Sequence, residues 1–129
     1  MSDAITLSTV TLDCRDAGAL ADFYADITGG RVTFREADWA TVESPGGELN
    51  FQTVPGHEPP VWPDPKGSIQ MHLDFAVDDL VATRARVLAA GARQFEFQPN
   101  ADHCLVFADP SGHAFCLSTW APLPTPATG

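Results

Sequence analysis

The first half of the chain changes from alternating hydrophobic and polar residues to a helical spacing of hydrophobic residues. Within residues 5–14, Val10, Leu12 and Cys14 alternate with polar residues, which predicts a half-buried β-strand over this segment. Over Ala17–Thr28 the apolar residues recur three and four positions apart, which is the spacing of an amphipathic helix. Asp16 is placed to cap the start of this helix, and Gly29 is placed to end it.

Three short strands and a proline-rich segment complete the first half. The strands are predicted over Arg31–Glu36, 39–43 and 48–53, and a Pro-Gly-Gly turn separates the last two. Residues 54–68 contain five prolines and two glycines. This composition predicts a linker or an active-site loop rather than a helix or a strand.

The same order of elements begins again at residue 69. A strand is predicted first, and Asp78 or Asp79 then caps a helix over Leu80–Ala90 that Gly91 ends. A hairpin turn is predicted at 109–112 from its Asp-Pro-Ser-Gly sequence. The strands of this half are predicted over 69–77, 93–98, 103–108 and 114–120.

The two halves keep a common register along the chain. Thr9 and His72 lie 63 residues apart, and so do the caps Asp16 and Asp79. The repeat predicts an α+β fold of tandem βαβββ modules, whose curled mixed sheets form a cup with one helix packed on each outer face. We expect a single domain over 1–121, with module one at 4–54, a linker at 55–68, module two at 69–120 and a disordered tail at 122–129.

The strand residues that alternate with the buried positions are predicted to line the cup. Because successive side chains of a strand point to opposite faces, the hydrophobic residues pack under the helices and their polar neighbours face away. Such a polar face indicates a ligand cavity or a solvent-exposed surface, and curled sheets favour the cavity. The predicted ligand pocket comprises Thr9, Thr11, Asn50, Gln52, His72, Asp74, Cys116 and Ser118.

Composition and charge narrow the classes of partner. The 129 residues include 7 Lys and Arg against 17 Asp and Glu, and the net charge of −10 repels nucleic acids and anionic membranes. The charge attracts cationic ligands, unless it serves solubility alone. The three cysteines form no Cys-x-x-Cys pair, which argues against a disulfide framework. With no secretory signal and no apolar run of about 18 residues, a cytoplasmic protein without a membrane partner is expected.

Three phrases of the sequence resemble one superfamily. They are DAGALADFYADITGG at 16–30, HLDFAVDDL at 72–80 and DPSGHAFCL at 109–117. Together with the duplicated βαβββ order, they resemble the vicinal oxygen chelate superfamily, which includes glyoxalase I, extradiol dioxygenases, fosfomycin resistance enzymes and bleomycin resistance proteins. The resemblance extends to residue 120, and in detail it is to the short glyoxalase-like members.

The resemblance implies a metal site that this chain fills only in part. Metal-dependent members take their ligands, usually His or Gln, Glu, His and Glu, from the first and fourth strands of each module. The matching positions are Thr9, Glu48 (or Asn50 after a two-residue slip), His72 and Cys116. His72 and Glu48 are residue types that serve as ligands in metal-dependent members. Cys116 adds a third ligand only as a thiolate. The predicted cofactor is therefore either none or a single divalent metal ion.

Three functions are compatible with the sequence. The first expectation is a small-molecule-binding protein that sequesters a cationic or aromatic compound, with Trp39, Phe51, Trp62 and Trp120 as stacking surfaces. The alternative is a metal-dependent lyase, isomerase or dioxygenase acting on a small oxygenated substrate, and no catalytic residue is assigned to it. The third is a structural or regulatory domain with a vestigial cup. A homodimer is expected because each sheet has edges to cover.

Overall fold

The structure is a computed structural model that describes residues 7–61 and 71–119. It divides into two compact units, Met1–His57 and Glu58–Gly129. The first unit contains β1 (Val10–Cys14), α1 (Ala17–Thr28), β2 (Arg31–Glu36), β3 (Trp39–Ser44) and β4 (Gly47–Thr53). The second contains β5 (Leu73–Ala76), α2 (Leu80–Ala90), β6 (Arg93–Gln94), β7 (Cys104–Ala108) and β8 (Ala114–Ser118). Neither helix has the length and apolar character required to span a bilayer, a finding limited to the described ranges.

The first sheet packs α1 against one of its faces. Its strand order is β1-β4-β3-β2, with β1 parallel to β4 and the other neighbours antiparallel. Phe51 of β4 is fully buried on the helix side, where its ring stacks on Tyr24 with the centroids 5.5 Å apart. The helix begins at Asp16, whose side chain accepts a hydrogen bond from the Ala19 amide. It ends at Gly29, whose φ of 72° is a left-handed conformation that glycine adopts without strain.

The second sheet repeats this arrangement. Its strand order is β5-β8-β7-β6, again with the first and fourth strands of the module parallel and the other neighbours antiparallel. Phe107 and Phe115 are fully buried on one face, and their rings stack with centroids 5.5 Å apart. Helix α2 supplies the buried Val87 and is capped by Asp79, whose side chain accepts a hydrogen bond from the Ala82 amide.

Most predicted elements of the fold are confirmed. Both helices have the predicted first and last residues, and Asp16 and Asp79 are their caps. The α+β class and the two βαβββ modules are confirmed by the two mixed sheets of four strands, each with one helix. The predicted hairpin turn is confirmed at Asp109, whose side chain accepts hydrogen bonds from the amides of Ser111 and His113.

The strand boundaries differ from the prediction at several points. β1 and β5 start later than predicted, at Val10 and Leu73, and β8 ends at Ser118 rather than at residue 120. The predicted strand 93–98 is reduced to β6, which has two residues. Beyond β6 the chain turns away from the sheet, because the Gln98 side chain bonds to the backbone of β7 where a longer strand would have paired.

Several predictions fall outside the described residues. Trp62, Trp120, the tail at 122–129, residues 4–6 of module one, residues 69–70 of module two and residues 62–68 of the linker belong to this group. The single domain and the shared cup stay predictions.

Candidate functional site

The first sheet carries polar and aromatic side chains on the face opposite α1, which we call the open face. The strand registers arrange these side chains in three rows, which are Arg31-Glu43-Glu48, Phe34-Thr41-Asn50-Thr11 and Glu36-Trp39-Gln52-Asp13. A register shift between Val32 and Phe34 places Phe34 opposite Thr41 and so brings an aromatic ring to this face. The open face therefore combines aromatic rings, amides, hydroxyls and carboxylates.

A chain of hydrogen bonds links the strands at the centre of the open face. The Thr41 hydroxyl donates to Asn50 Oδ1 at 2.6 Å. Asn50 Nδ2 in turn donates to the Thr9 hydroxyl at 3.0 Å. Because both ends of the Asn50 amide are engaged, its orientation is fixed before any ligand arrives, and the half-buried hydroxyl of Thr9 is held beside it.

The aromatic and charged residues of the open face are accessible. Phe34 is 49% exposed, Trp39 is half-buried, and Glu36 is the register partner of Trp39. Arg31 and Glu43 form an exposed ion pair with Nη2 and Oε2 3.6 Å apart. Four carboxylates and one guanidinium are thus distributed over the three rows, which gives the face a negative electrostatic potential. Aromatic rings beside carboxylates favour a ligand that is both planar and positively charged.

The second sheet brings together three groups that bind metals. His72, Asp74 and Cys116 each offer one ligand atom, and these atoms all lie within 4.8 Å of one another. His72 Nε2 lies 3.4 Å from Asp74 Oδ2. Cys116 is the register partner of Asp74 on β8. An imidazole, a carboxylate and a thiol in this arrangement can bind a transition-metal ion.

Cys116 lies at the inner end of this group. Burial raises the pKa of its thiol, and the neighbouring Cys104 and Asp74 side chains raise it further. Phe95, Val106, Ala108 and Ala114 form a buried apolar cluster with Cys116. The thiol is therefore protonated at neutral pH unless a cation displaces its proton.

The structure places the predicted pocket residues in two sets. Thr9, Thr11, Asn50 and Gln52 belong to the first unit, where the last three lie on the open face and Thr9 bonds to Asn50. His72, Asp74, Cys116 and Ser118 belong to the second unit, and the last three lie on one face of its sheet. The joint binding of a metal by Glu48 and His72 stays a prediction. The prediction of Phe51 as a stacking surface is wrong, because its ring is fully buried against Tyr24.

Sequence reasoning did not find three contributors to these sites. Phe34 reaches the open face only through the register shift in β2, which leaves no signal in the sequence. Thr41 was readable from the alternation of β3, where Ala40 and Val42 are buried on either side of it. Asp74 was predicted as a pocket residue but not as a metal ligand, because its pairing with Cys116 depends on strand register.

Comparison with known proteins gives a family match over most of the chain. The model of a family described as a glyoxalase-like domain matches residues 9–118. No protein with a curated description matches the chain.

The following three are among the solved structures that have a similar fold. A glyoxalase/bleomycin resistance protein/dioxygenase family enzyme from Burkholderia phytofirmans PsJN is 19% identical, with a TM-score of 0.67 over 88% of this chain and 97% of that chain. A glyoxalase-related enzyme from Fulvimarina pelagi is 21% identical, with a TM-score of 0.64 over 89% and 88%. A mutant of the fosfomycin resistance protein FosX from Listeria monocytogenes, complexed with Mn(II) and 1S,2S-dihydroxypropylphosphonic acid, is 16% identical, with a TM-score of 0.71 over 92% of both chains. At identities of 16–21%, the similarity shows a common fold and nothing more specific.

Proposed function

The chain belongs to the glyoxalase-like domain family, and we propose that it is a small-molecule-binding protein that holds a cationic aromatic compound on the open face of its first sheet. The observation that carries this proposal is the placement of Phe34 and Trp39 among carboxylates on one accessible face. A cation over an aromatic ring is stabilised by about 0.5–2 kcal/mol, and the larger values apply where water is excluded. The net charge of −10 adds a long-range attraction for the same class of ligand.

The centre of the open face supports binding rather than metal chemistry. The family resemblance implies metal ligands at Thr9 and at Glu48 or Asn50. In this chain Thr9 and Asn50 are hydrogen-bonded to each other, and a hydroxyl and an amide are weak ligands for a divalent ion. These groups are suited instead to donate and accept hydrogen bonds with the polar substituents of an organic ligand.

A matched pair of aromatic compounds tests the proposal. We expect N-methylquinolinium, a planar cation, to bind at least about tenfold more tightly than quinoline at pH 8, where quinoline is neutral, since only the cation gains the charge attraction. Binding is measured by isothermal titration calorimetry. Trp39→Ala is expected to weaken binding of the cation by about 1–2 kcal/mol. Added salt is expected to weaken this binding further, because it screens the charge attraction.

Phe97→Ala is the control for this experiment, because it removes a 50% exposed aromatic ring from the second unit. It is expected to leave the affinity for the cation unchanged. Equal affinities for the two compounds, or equal losses in Trp39→Ala and Phe97→Ala, would contradict binding at the open face.

A second function is favoured by the group formed by His72, Asp74 and Cys116. We propose as the alternative a metal-dependent lyase, isomerase or dioxygenase acting on a small oxygenated substrate. The residues fit the metal that the resemblance implies, since three protein ligands leave a coordination position for substrate. A bound divalent ion would polarise vicinal substrate oxygens and stabilise negative charge that develops on them. Asp74 Oδ2 lies 3.4 Å from His72 Nε2, so the carboxylate and the imidazole would hold the ion side by side.

The metal content of the protein tests this alternative. Protein purified without chelators is expected to contain about one equivalent of a divalent metal, because three preassembled ligands retain an ion through purification. Elemental analysis measures the content, and His72→Ala is expected to lose the metal. A content below about a tenth of an equivalent, in protein that also takes up no ion on addition, would remove the metal-dependent function.

Location and assembly are proposed on separate grounds. Cys14, Cys104 and Cys116 form no disulfide bonds, which is the usual state of cysteines in a reducing cytoplasm, and we propose a cytoplasmic location. A homodimer is proposed because β1, β2, β5 and β6 are edge strands of their sheets.

A further inference from the structure

Strand geometry brings three different metal-ligating groups together in the second unit. His72 directly precedes β5 and Asp74 is the second residue of that strand, and their ligand atoms lie 3.4 Å apart. Cys116 pairs with Asp74 across the neighbouring strands β5 and β8. Neighbouring strands lie about 4.8 Å apart, and the three ligand atoms lie within 4.8 Å of one another. The grouping is therefore fixed by the register of two paired strands.

The thiol determines which ion suits this group. Sulfur is a soft ligand that selects ions such as Zn²⁺, whereas Mn²⁺ and Mg²⁺ prefer carboxylates, carbonyls and water. We propose that His72, Asp74 and Cys116 form a site for a thiophilic divalent ion, Zn²⁺, in preference to a hard ion such as Mn²⁺. This inference deepens the second function proposed above and rests on its metal site, but it requires no reaction.

The distances and exposures fit a zinc ion. Bonds from zinc to nitrogen or oxygen are about 2.0 Å and to sulfur about 2.3 Å, so ligand atoms of a tetrahedral site lie about 3.5 Å apart. His72 Nε2 and Asp74 Oδ2 are already 3.4 Å apart. Their side chains are 41% and 62% exposed, and the Asp74 side chain already contacts the buried Cys116. The ligand atoms lie within 4.8 Å of one another, so reaching about 3.5 Å requires a contraction of at most about 1.3 Å.

The surroundings of Cys116 also suit a metal–sulfur bond. The apolar cluster of Phe95, Val106, Ala108 and Ala114 packs against this residue and keeps water from the sulfur. His72 and Asp74 lie toward solvent, so the fourth coordination position is open to a water molecule or another small ligand. The low dielectric on the inner side strengthens the attraction between a cation and a thiolate.

Cobalt substitution tests the proposal, because a thiolate bound to Co²⁺ absorbs in the near ultraviolet through charge transfer. We expect Co²⁺ titrated into metal-free protein to produce this band and to saturate at one equivalent. Zn²⁺ is expected to displace Co²⁺ at concentrations roughly a hundredfold lower than Mn²⁺ requires. His72→Ala and Asp74→Asn are each expected to weaken Co²⁺ binding at least about tenfold.

Two cysteine variants distinguish the ligand from its neighbour. Cys116→Ser is expected to abolish the charge-transfer band, whereas Cys104→Ser, which removes the adjacent thiol, is expected to keep it. Cys116→Asp restores an oxygen ligand, and it is expected to lower the ratio of Zn²⁺ to Mn²⁺ affinity at least about tenfold. Circular dichroism of each variant shows whether it is folded, and the wild-type titration does not depend on any variant.

Each outcome decides the proposal. A saturable band that depends on Cys116 supports it. A band that persists in Cys116→Ser, or Mn²⁺ displacing Co²⁺ as effectively as Zn²⁺, overturns it. If Mn²⁺ binds equally well and the binding still requires His72, the proposal of a thiophilic site fails while the metal-dependent function stands. If no ion binds, both fail.

Discussion

Replacing Phe115 with alanine is expected to lower the free energy of unfolding by about 3–5 kcal/mol, the usual cost of removing a buried phenyl ring. Phe115 is fully buried in the second sheet. Its ring stacks on Phe107 with centroids 5.5 Å apart and meets Phe75 edge to face at 6.0 Å. The substitution removes both contacts and leaves a cavity that rigid neighbouring strands cannot close. Domains of this kind are stable by about 5–15 kcal/mol, so a large part of the total is lost.

Urea unfolding followed by circular dichroism measures this loss. Phe97→Ala serves as the matched control, since it deletes the same ring from a 50% exposed position, and its effect is expected to be about 1 kcal/mol, well below that of Phe115→Ala. A loss below about 1 kcal/mol for Phe115→Ala would contradict a tightly packed aromatic core in the second module.

The helices and the repeat were predictable because local chemistry determines them. Asp16 and Asp79 each accept a hydrogen bond from the amide three residues later, which satisfies a donor that the helix cannot. Gly29 and Gly91 end the helices with φ values of 72° and 117°. These signals lie within a few residues of the boundaries they set. Their nearly equal spacing in the two halves made the duplicated topology readable as well.

The short β6 was not predictable, because beyond the bond from the Phe95 amide to the Val106 carbonyl, the Gln98 side chain bonds to the backbone of β7. Residues 93–98 contain enough alternation for a strand, yet only Arg93 and Gln94 pair with β7. Gln98 then presents its amide to the backbone of Val106 and mimics the peptide group of a continuing strand. Sequence periodicity does not distinguish a glutamine that faces solvent from one that bonds to a neighbouring strand.

The same distinction between local signals and contacts distant in sequence applies to the candidate sites. Alternation within β4 identified Asn50 and Gln52 as the side chains opposite the buried Leu49 and Phe51. In β8 all five residues are buried, so alternation predicted only that Cys116 and Ser118 share the face opposite Phe115 and Leu117. The bond from Thr41 to Asn50 lies across the β3–β4 hairpin, whose turn and hydrophobic pattern set the register. The Asp74–Cys116 pair and the bond from Asn50 to Thr9 join parallel strands that no hairpin turn connects, so no local pattern sets their register. The residue types were therefore predictable, whereas the contacts between parallel strands were not.

Replacing Gln98 with alanine is expected to lower the free energy of unfolding by about 1–3 kcal/mol, because it removes the acceptor of the buried Val106 amide, whereas the Val106 carbonyl keeps its bond from the Phe95 amide. The Gln98 carbonyl accepts a hydrogen bond from the Val106 amide at 2.9 Å. Its amide nitrogen donates to the carbonyl oxygens of Val106 at 2.8 Å and Phe95 at 2.6 Å. Val106 is buried, so water cannot easily replace these bonds. Urea unfolding at pH 7 measures the loss.

Gln98→Glu separates the hydrogen bonds from the packing of the side chain. The introduced carboxylate keeps the bond from the Val106 amide but faces two carbonyl oxygens that it cannot satisfy, so the native state raises its pKa. The protonated form can donate to one of these oxygens. Stability relative to the wild type is therefore expected to be highest below about pH 4.3, the ordinary pKa of a glutamic acid, and to be lost as the pH rises through the raised value. A deficit that is equal at pH 4 and pH 7 would show that the Gln98 amide does not serve as the missing strand partner of β7.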